Sequence, residues 1–347
     1  MRLSILSSLH PLMRDIVTFA LQDTCHTLSV EVTATSVRLS LTTPEGESEY
    51  NEIPLAHPCI TCSMREGILP AIIEQAELGC ERLLLALPAA IDALSVVPTM
   101  ADIIDAEMLP IHPSAVAHCV DINTACDDLL SHTPLRDKGL AVIDEDERCT
   151  GEILMVSLGY ADVLIALGED PAGSDLVEHL RPLDTLRINS LEELTANLLF
   201  DHPHDTDDAI GRVHPVTTQA WGGPTDHGVW TLDLHSERPF HPERLAQWAQ
   251  ELSAANICAR GCFWLPSRPR HICTWEANGP SASVGQAGIW TEDPFTHLVL
   301  TGNASSQQQE AIAAVFQRIL MTDEEMAHAL DWVGVADGLD EWFPADE

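Results

Sequence analysis

Lysine is almost missing from this chain of 347 residues: Lys138 is the only one. Lys and Arg together number 17 against 54 Asp and Glu, a formal charge of −37 at neutral pH. A nucleic-acid-binding surface works by releasing counterions through Lys and Arg, so direct, sequence-independent contact with nucleic acid is not expected. An acidic chain can still approach a nucleoprotein particle through its basic proteins, because opposite potentials speed encounter. The same charge also serves solubility, or a salt-adapted, acid-rich proteome. Long apolar runs are missing too: none reaches the roughly 18–20 residues of a membrane helix. Residues 1–20 hold two arginines, a histidine and an aspartate, with no apolar core and cleavage site of a signal peptide. A soluble, cytosolic protein without a membrane partner is expected. What is present is a 45% hydrophobic composition, which excludes a wholly disordered acidic chain. At roughly 100–200 residues per domain the length favours two domains.

Short β-rich runs alternate with helical patterns through the first half. Arg2–Ser7 and Leu28–Thr33 read as strands around a Met13–Leu21 helix, and Arg82–Leu87, Ala115–Asp121, Asp162–Ala166 and Thr185–Ile188 as further strands. Met64, Ile68, Leu69, Ile72 and Ile73 share one face of a Met64–Ala76 helix, as packing on a sheet requires. This alternation predicts an α/β fold with a mostly parallel, doubly wound sheet over 1–200. Residues 201–226 are polar and rich in breakers, and all eight tryptophans lie at or after Trp221, which marks 201–226 as a linker. From 227 to 347 the order is a strand at Gly228–His235, a helix with Pro242 at its first position and strands at Ile257–Leu265, His271–Glu276 and His297–Thr301. A helix over Gln307–Leu320 follows. That is a smaller α+β domain with an acidic tail, in which Thr322 and Glu325 have capping-box spacing.

Eight of the ten cysteines (Cys25, Cys80, Cys119, Cys126, Cys149, Cys258, Cys262, Cys273) show no metal-site spacing and read as small buried hydrophobes. A disulfide framework is not expected in a cytosolic chain. Cys59 and Cys62 are different: their Cys-x-x-Cys spacing fits zinc with further ligands, a redox pair, or two packed thiols. His57, His202 and His204 are the candidate further ligands, although His202 and His204 fit a solvated turn equally well. No Ser-His-Asp or paired-carboxylate set is assigned from spacing.

Two segments carry a resemblance. His57-Pro58-Cys59-Ile60-Thr61-Cys62-Ser63-Met64-Arg65-Glu66 resembles the cysteine motif and following Arg-Glu pair of CobW-type GTPases. Arg238-Pro239-Phe240-His241-Pro242-Glu243-Arg244 and Ala259-Arg260-Gly261-Cys262-Phe263-Trp264-Leu265 resemble the CobW C-terminal domain, over about Gly228 to Trp290. The resemblance implies a P-loop-like first domain, in which glycines free backbone N–H groups for phosphate, a lysine reaches the β and γ phosphates and a hydroxyl holds magnesium. Here the glycine positions hold Ser8, Pro11 and Met13, the lysine position Arg14 and the hydroxyl position Asp15. The family's acidic strand reads Leu84-Leu85-Ala86-Leu87-Pro88, and its guanine-reading Asn-Lys-x-Asp reads Leu167-Gly168-Glu169-Asp170, keeping only the Asp. GTP is therefore not expected as a cofactor, nor GTPase activity, while Zn2+ remains a candidate at Cys59 and Cys62. The departures are similar to an actinobacterial subgroup with a degenerate P-loop, through Cys59, Cys62, Arg65-Glu66, Thr322-Asp323-Glu324-Glu325 and Asp340-Glu341-Trp342-Phe343. That likeness implies a non-catalytic adaptor that brings a ribosome hibernation-promoting factor to the small ribosomal subunit under zinc limitation. The wider family implies the alternative, a zinc metallochaperone.

Overall fold

Runs of Leu, Ile, Val and Ala bounded by Pro, Gly and Asp build a sheet of eight strands. In the computed structural model, which describes residues 1–56, 59–143, 146–303 and 305–343, these are β1 (Arg2–Ser8), β2 (His26–Val32), β3 (Ser36–Thr42), β4 (Ser48–Pro54), β5 (Arg82–Ala86), β6 (His112–Asp121), β7 (Val163–Leu167) and β8 (Leu186–Ile188). Their order is β4-β3-β2-β5-β1-β6-β7-β8. From β2 to β8 every neighbouring pair is parallel, and β3 and β4 extend the edge as an antiparallel meander. The mostly parallel α/β reading holds. Central strands read as continuous apolar runs because both faces are covered: Leu83 to Leu87 are all fully buried. One face packs Leu6, Leu84, Ala117 and Ile165 against Val17 and Leu21 of the first helix and against Leu199 and Phe200.

The second sheet comprises β9 (Trp230–Ser236), β10 (Ile257–Phe263), β11 (His271–Asn278), β12 (Ser281–Ile289) and β13 (Thr296–Gly302), in the order β12-β11-β10-β13-β9 and antiparallel throughout. Its core gathers Phe240, Phe263 and Phe316, with ring centroids 5.2 and 5.5 Å from Phe240, and the fully buried Trp275. Gly261 sits where β10 and β13 approach so closely that a Cβ would collide with the His297 carbonyl oxygen. The segment matching the family signature acts structurally. Phe240 enters the core, Pro242 starts the Pro242–Trp248 helix, and Arg244 binds Glu325 at 2.6 and 2.8 Å. The capping box is formed: Thr322 N–H donates to Glu325 at 2.8 Å and Glu325 N–H to Thr322 Oγ1 at 3.3 Å. The Arg244 guanidinium holds the Glu325 carboxyl down to about 2.

Backbone contacts group the chain into two units, residues 1–125, 133–170 and 181–212 in one, and 126–132, 171–180 and 213 onward in the other. The stretch 201–226 contains the helix Thr206–Val213 and the short turn of helix Pro215–Thr217. No helix among the described residues is long and apolar enough to cross a membrane.

Asp162, just before β7, is buried at 6% side-chain exposure and anchors the lower end of the first sheet. It accepts from Val116 N–H (2.9 Å), His204 Nδ1 (2.7 Å) and Arg212 Nη2 (2.9 Å). Burial alone would raise its carboxyl pKa; the His204 hydrogen bond and charge, the Val116 N–H and Arg212 outweigh burial and hold it below the usual range. Its contribution is thus complete above the unfolded value of about 3.9 and is lost as the pH falls through the folded value. Asp162→Ala strands Arg212 and should cost about 3 kcal/mol, read as a lowered urea midpoint at pH 7. The wild-type and variant midpoints should converge as the pH is taken below 4.

Candidate functional site

At the carboxyl ends of parallel strands, open α/β sheets usually hold their ligands. In this sheet that edge is filled from inside the chain. β1 runs on to Ser8 and the first helix starts at Pro11, so only Leu9 and His10 separate them. Pro11 favours this early start because its fixed φ suits the first helical position, and it brings no N–H of its own. The Met13 and Arg14 N–H groups both point back to the His10 carbonyl. Ser8 Oγ donates to the Cys119 carbonyl (2.9 Å), and the Ser8 carbonyl accepts from Ala90 N–H (3.1 Å).

Arg14 completes the closure. Its side chain is 8% exposed, and the guanidinium donates to the carbonyls of Val30 (3.3 Å) and Leu87 (3.4 Å) and to Asp15 (3.0 Å). A cation spent on carbonyls beside β2 and β5 is turned away from any phosphate above the sheet. On β6 lies His118, which sequence reasoning missed. It is fully buried and shares a 2.9 Å hydrogen bond with Ser7 Oγ, and burial, with His10 nearby, pushes its pKa down to about 3. Nothing in local spacing marks His118, since its partner is 111 residues away. Asp170 lies in a turn whose 169 and 170 N–H groups both donate to Asn123 Oδ1.

The cysteine pair stands on a different element. Ile60–Ser63, a π-helical turn Met64–Ile68 and Leu69–Glu77 run on without a break as one helix. The loop expected just before Met64 is therefore helical from Ile60, with Cys59 as the N-cap and Cys62 inside the first turn. The buried Met64, Ile68, Leu69 and Ile72 hold the helix to the sheet. Gly67 permits the close approach: a Cβ there would lie 3.0 Å from Val37 and 3.2 Å from Ile53.

At a helix N-terminus, N–H groups without intrahelical partners face an N-cap side chain and stabilise negative charge there. The Cys62 N–H, followed by the Cys62 thiol and Thr61, draws the Cys59 thiol below its ordinary pKa against the opposing effect of burial. Cys62 moves the other way, raised by its hydrogen bond to Cys59, by burial and by the charges of Cys59 and Glu66. Of the two, Cys59 is the more readily ionised. A cavity of about 350 Å³ opens beside it, lined by Ile60, Val32, Ile91, Asp146, Glu147 and Arg148 among others. Arg148 grips Asp146 through two bonds of 2.9 and 2.8 Å and holds its carboxyl below the usual range.

His202 and His204 are not gathered at this pair. His204 has no exposed side-chain surface, and its ring nitrogens engage Asp162 (2.7 Å) and Tyr160 (3.3 Å). It is a member of the Asp162 network, which corrects its reading as a solvated turn residue. His202 is exposed, and His57 lies outside the described residues. Among the described residues no group of three or more His, Cys, Asp or Glu side chains is placed to hold a metal.

Residues 229–320 match the model of the cobalamin synthesis protein CobW C-terminal domain. The second sheet and the helices Pro242–Trp248 and Ser306–Ile319 fall within that match. Among curated proteins the chain is 23% identical over 271 residues to zinc-regulated GTPase metalloprotein activator 1 of Dictyostelium discoideum, covering 71% of this chain and 56% of that protein. The chain thus spans little more than half of that relative's length. It is also 23% identical over 353 residues to the zinc chaperone Rv0106 of Mycobacterium tuberculosis, covering 90% of this chain and 83% of the relative. Among solved structures, the Zn(II)-bound YjiA GTPase from E. coli aligns over 92% of this chain and 98% of its own, at 13% identity and a TM-score of 0.35.

The helix-end environment sets an order of reactivity. Iodoacetamide at pH 7 should modify Cys59 on the order of tenfold faster than Cys62, as read by peptide mass mapping of quenched time points. Equal rates would show that the helix N-terminus does not polarise the pair.

Proposed function

We propose that this protein carries zinc as cargo on the Cys59–Cys62 pair. The observation that carries the reading is the placement of Cys59 as a helix N-cap. There the N–H groups of Thr61 and Cys62 favour the thiolate, one turn from a second sulfur. Two relatives at 23% identity bear zinc in their names, one as an activator of metalloproteins and one as a chaperone. Two sulfur ligands leave the coordination sphere of zinc open, whereas structural zinc sites are closed by four protein ligands. An open sphere lets a client take the ion by adding its own ligands.

Competition with a chromophoric zinc chelator tests this. The wild-type chain should take up one equivalent of zinc, and Cys59→Ala with Cys62→Ala should lose at least tenfold in affinity with an unchanged circular dichroism spectrum. Zinc affinity unaltered in the double variant would refute the assignment.

The reading also excludes GTP as the source of energy for transfer. Ser8 to Asp15 are wound into strand and helix, and Arg14 is committed to two carbonyls. Calorimetry should detect no heat of binding for millimolar GTP or GDP, with or without magnesium and zinc. Micromolar, magnesium-dependent binding would overturn this part of the reading.

The same closed edge favours a second reading, the adaptor that recruits a hibernation-promoting factor to the small ribosomal subunit, because recruitment uses surfaces and not nucleotide chemistry. Its mark is co-sedimentation with ribosomes only when that factor is present. The carrier's mark is delivery of bound zinc to a client apoprotein.

A further inference from the structure

The sheet of the second unit ends in a strand without the usual protection. Among the described residues β12 has a single neighbour, β11. Its nine residues, Ser-Ala-Ser-Val-Gly-Gln-Ala-Gly-Ile, carry no charge and no proline, and all are partly or fully exposed. Natural edge strands are normally blunted by lysine, proline, inward charge or a bulge, because the free N–H and C=O groups template a further strand. Here the one irregularity in pairing lies between His271 and Cys273, so the half of β12 from Ser281 to Gln286 pairs in regular register with Cys273–Asn278.

That half borders a cavity of about 570 Å³, whose lining includes Trp275, Trp342, Val284, Ser283, Ser253 and Glu341. Trp275 stands opposite Val284 and is 1% exposed, and its indole Nε1–H, buried in the core, has no hydrogen-bond partner among the described residues. What the cavity offers an incoming chain is the Ser283 hydroxyl, the half-buried Trp342 and the exposed Glu341.

Charge identifies the occupant. Residues 213–347 contain six arginines, no lysine and eighteen Asp and Glu. Arg238, Arg244, Arg260 and Arg268 each face a carboxylate, and Arg318 lies over the Trp248 ring at 4.4 Å. Arg270 is exposed beside the far end of β12, where its carbonyl accepts from Trp290 N–H, but the unit as a whole is strongly acidic and Glu341 stands exposed at the cavity. A second copy of the chain would bring the same sign of charge to its partner. A basic segment would not, and its cation would find aromatic surface in Trp342 of the kind Arg318 uses on Trp248.

We propose that β12 is the docking edge for an extended, basic segment of another protein. The segment adds as a sixth strand beside Ser281–Gln286 and places one Arg or Lys side chain in the cavity at Trp342, against Glu341. Main-chain pairing supplies affinity, and the cavity supplies the choice of side chain. This site is independent of the cysteine pair and goes beyond the zinc reading.

The probe is a fluorescein-labelled, capped ten-residue peptide of alternating Thr, Val and Arg, titrated with the full-length protein by anisotropy. Saturable binding below millimolar concentration that strengthens as salt is lowered is expected. A matched peptide with Glu for Arg, and one with proline at every second position, should each bind at least tenfold more weakly. Ser283→Lys and Glu341→Lys are surface changes, and each should weaken the Arg peptide about tenfold with the melting temperature unchanged. Absence of saturation, equal binding of the Glu or proline peptide, or indifference to both variants would overturn the proposal. So would concentration-dependent dimerisation of the free protein that Ser283→Lys abolishes, since that would give the edge to a second copy.

Discussion

One buried guanidinium governs the chemistry open to the first unit. Arg14 reaches from the first helix to the carbonyls of Val30 and Leu87 and so ties the helix to β2 and to the end of β5. Buried charge is tolerated only where its hydrogen bonds are met. Here Nη1 is met by the two carbonyls, and Nε and Nη2 by Asp15 at 3.0 Å, with Glu31 more distant at 3.8 Å. This anchor holds the first turn of the helix that begins at Pro11 against the sheet, beside a two-residue turn closed by the Ser8 and Ala90 hydrogen bonds. A phosphate cradle needs the opposite arrangement, with unpaired N–H groups and a cation pointing outward.

The cysteine pair stands on a separate helix, which follows the β3–β4 meander. The sheet holds that second helix through Met64, Ile68 and Ile72, with Gly67 allowing contact with Val37 and Ile53. The π-helical turn begins at Met64, two residues after Cys62, and changes the phase between the cysteine turn and the packed face, a feature that often accompanies functional positions. In the second unit the charged residues of the Arg238–Arg244 segment serve packing. Arg244 and Glu325 join two parts of the fold that are 81 residues apart, and Arg238 closes on the Met321 carbonyl.

Much of this architecture is legible in the sequence where burial imposes a pattern. The parallel strands and the helices Pro11–Leu21 and Ser306–Ile319 lie within a few residues of their apolar runs, and the Thr322–Glu325 capping box is read outright from spacing. β4 and β12 are not legible. Ser48–Pro54 and Ser281–Ile289 are exposed on both faces, so no alternation of apolar and polar residues betrays them. The cysteine pair stands out by spacing, but its helical setting does not, because Pro58 and Thr61 read as loop formers and the helix is held by packing and not by propensity. His204 is misread for a related reason. Its neighbours are polar and turn-forming, while the partner that buries it, Asp162, is 42 residues away. The role of Arg14 is hidden in the same way, since Val30 and Leu87 are distant in the chain.

The wound turn at Ser8–Asp15 is also locked against gradual change. Replacing Arg14 by lysine would surrender its carbonyl bonds without creating a cradle, and replacing Pro11 by glycine would weaken the helix start without supplying a cation. Each single change therefore lowers stability and opens no anion site, so the turn resists remodelling one residue at a time.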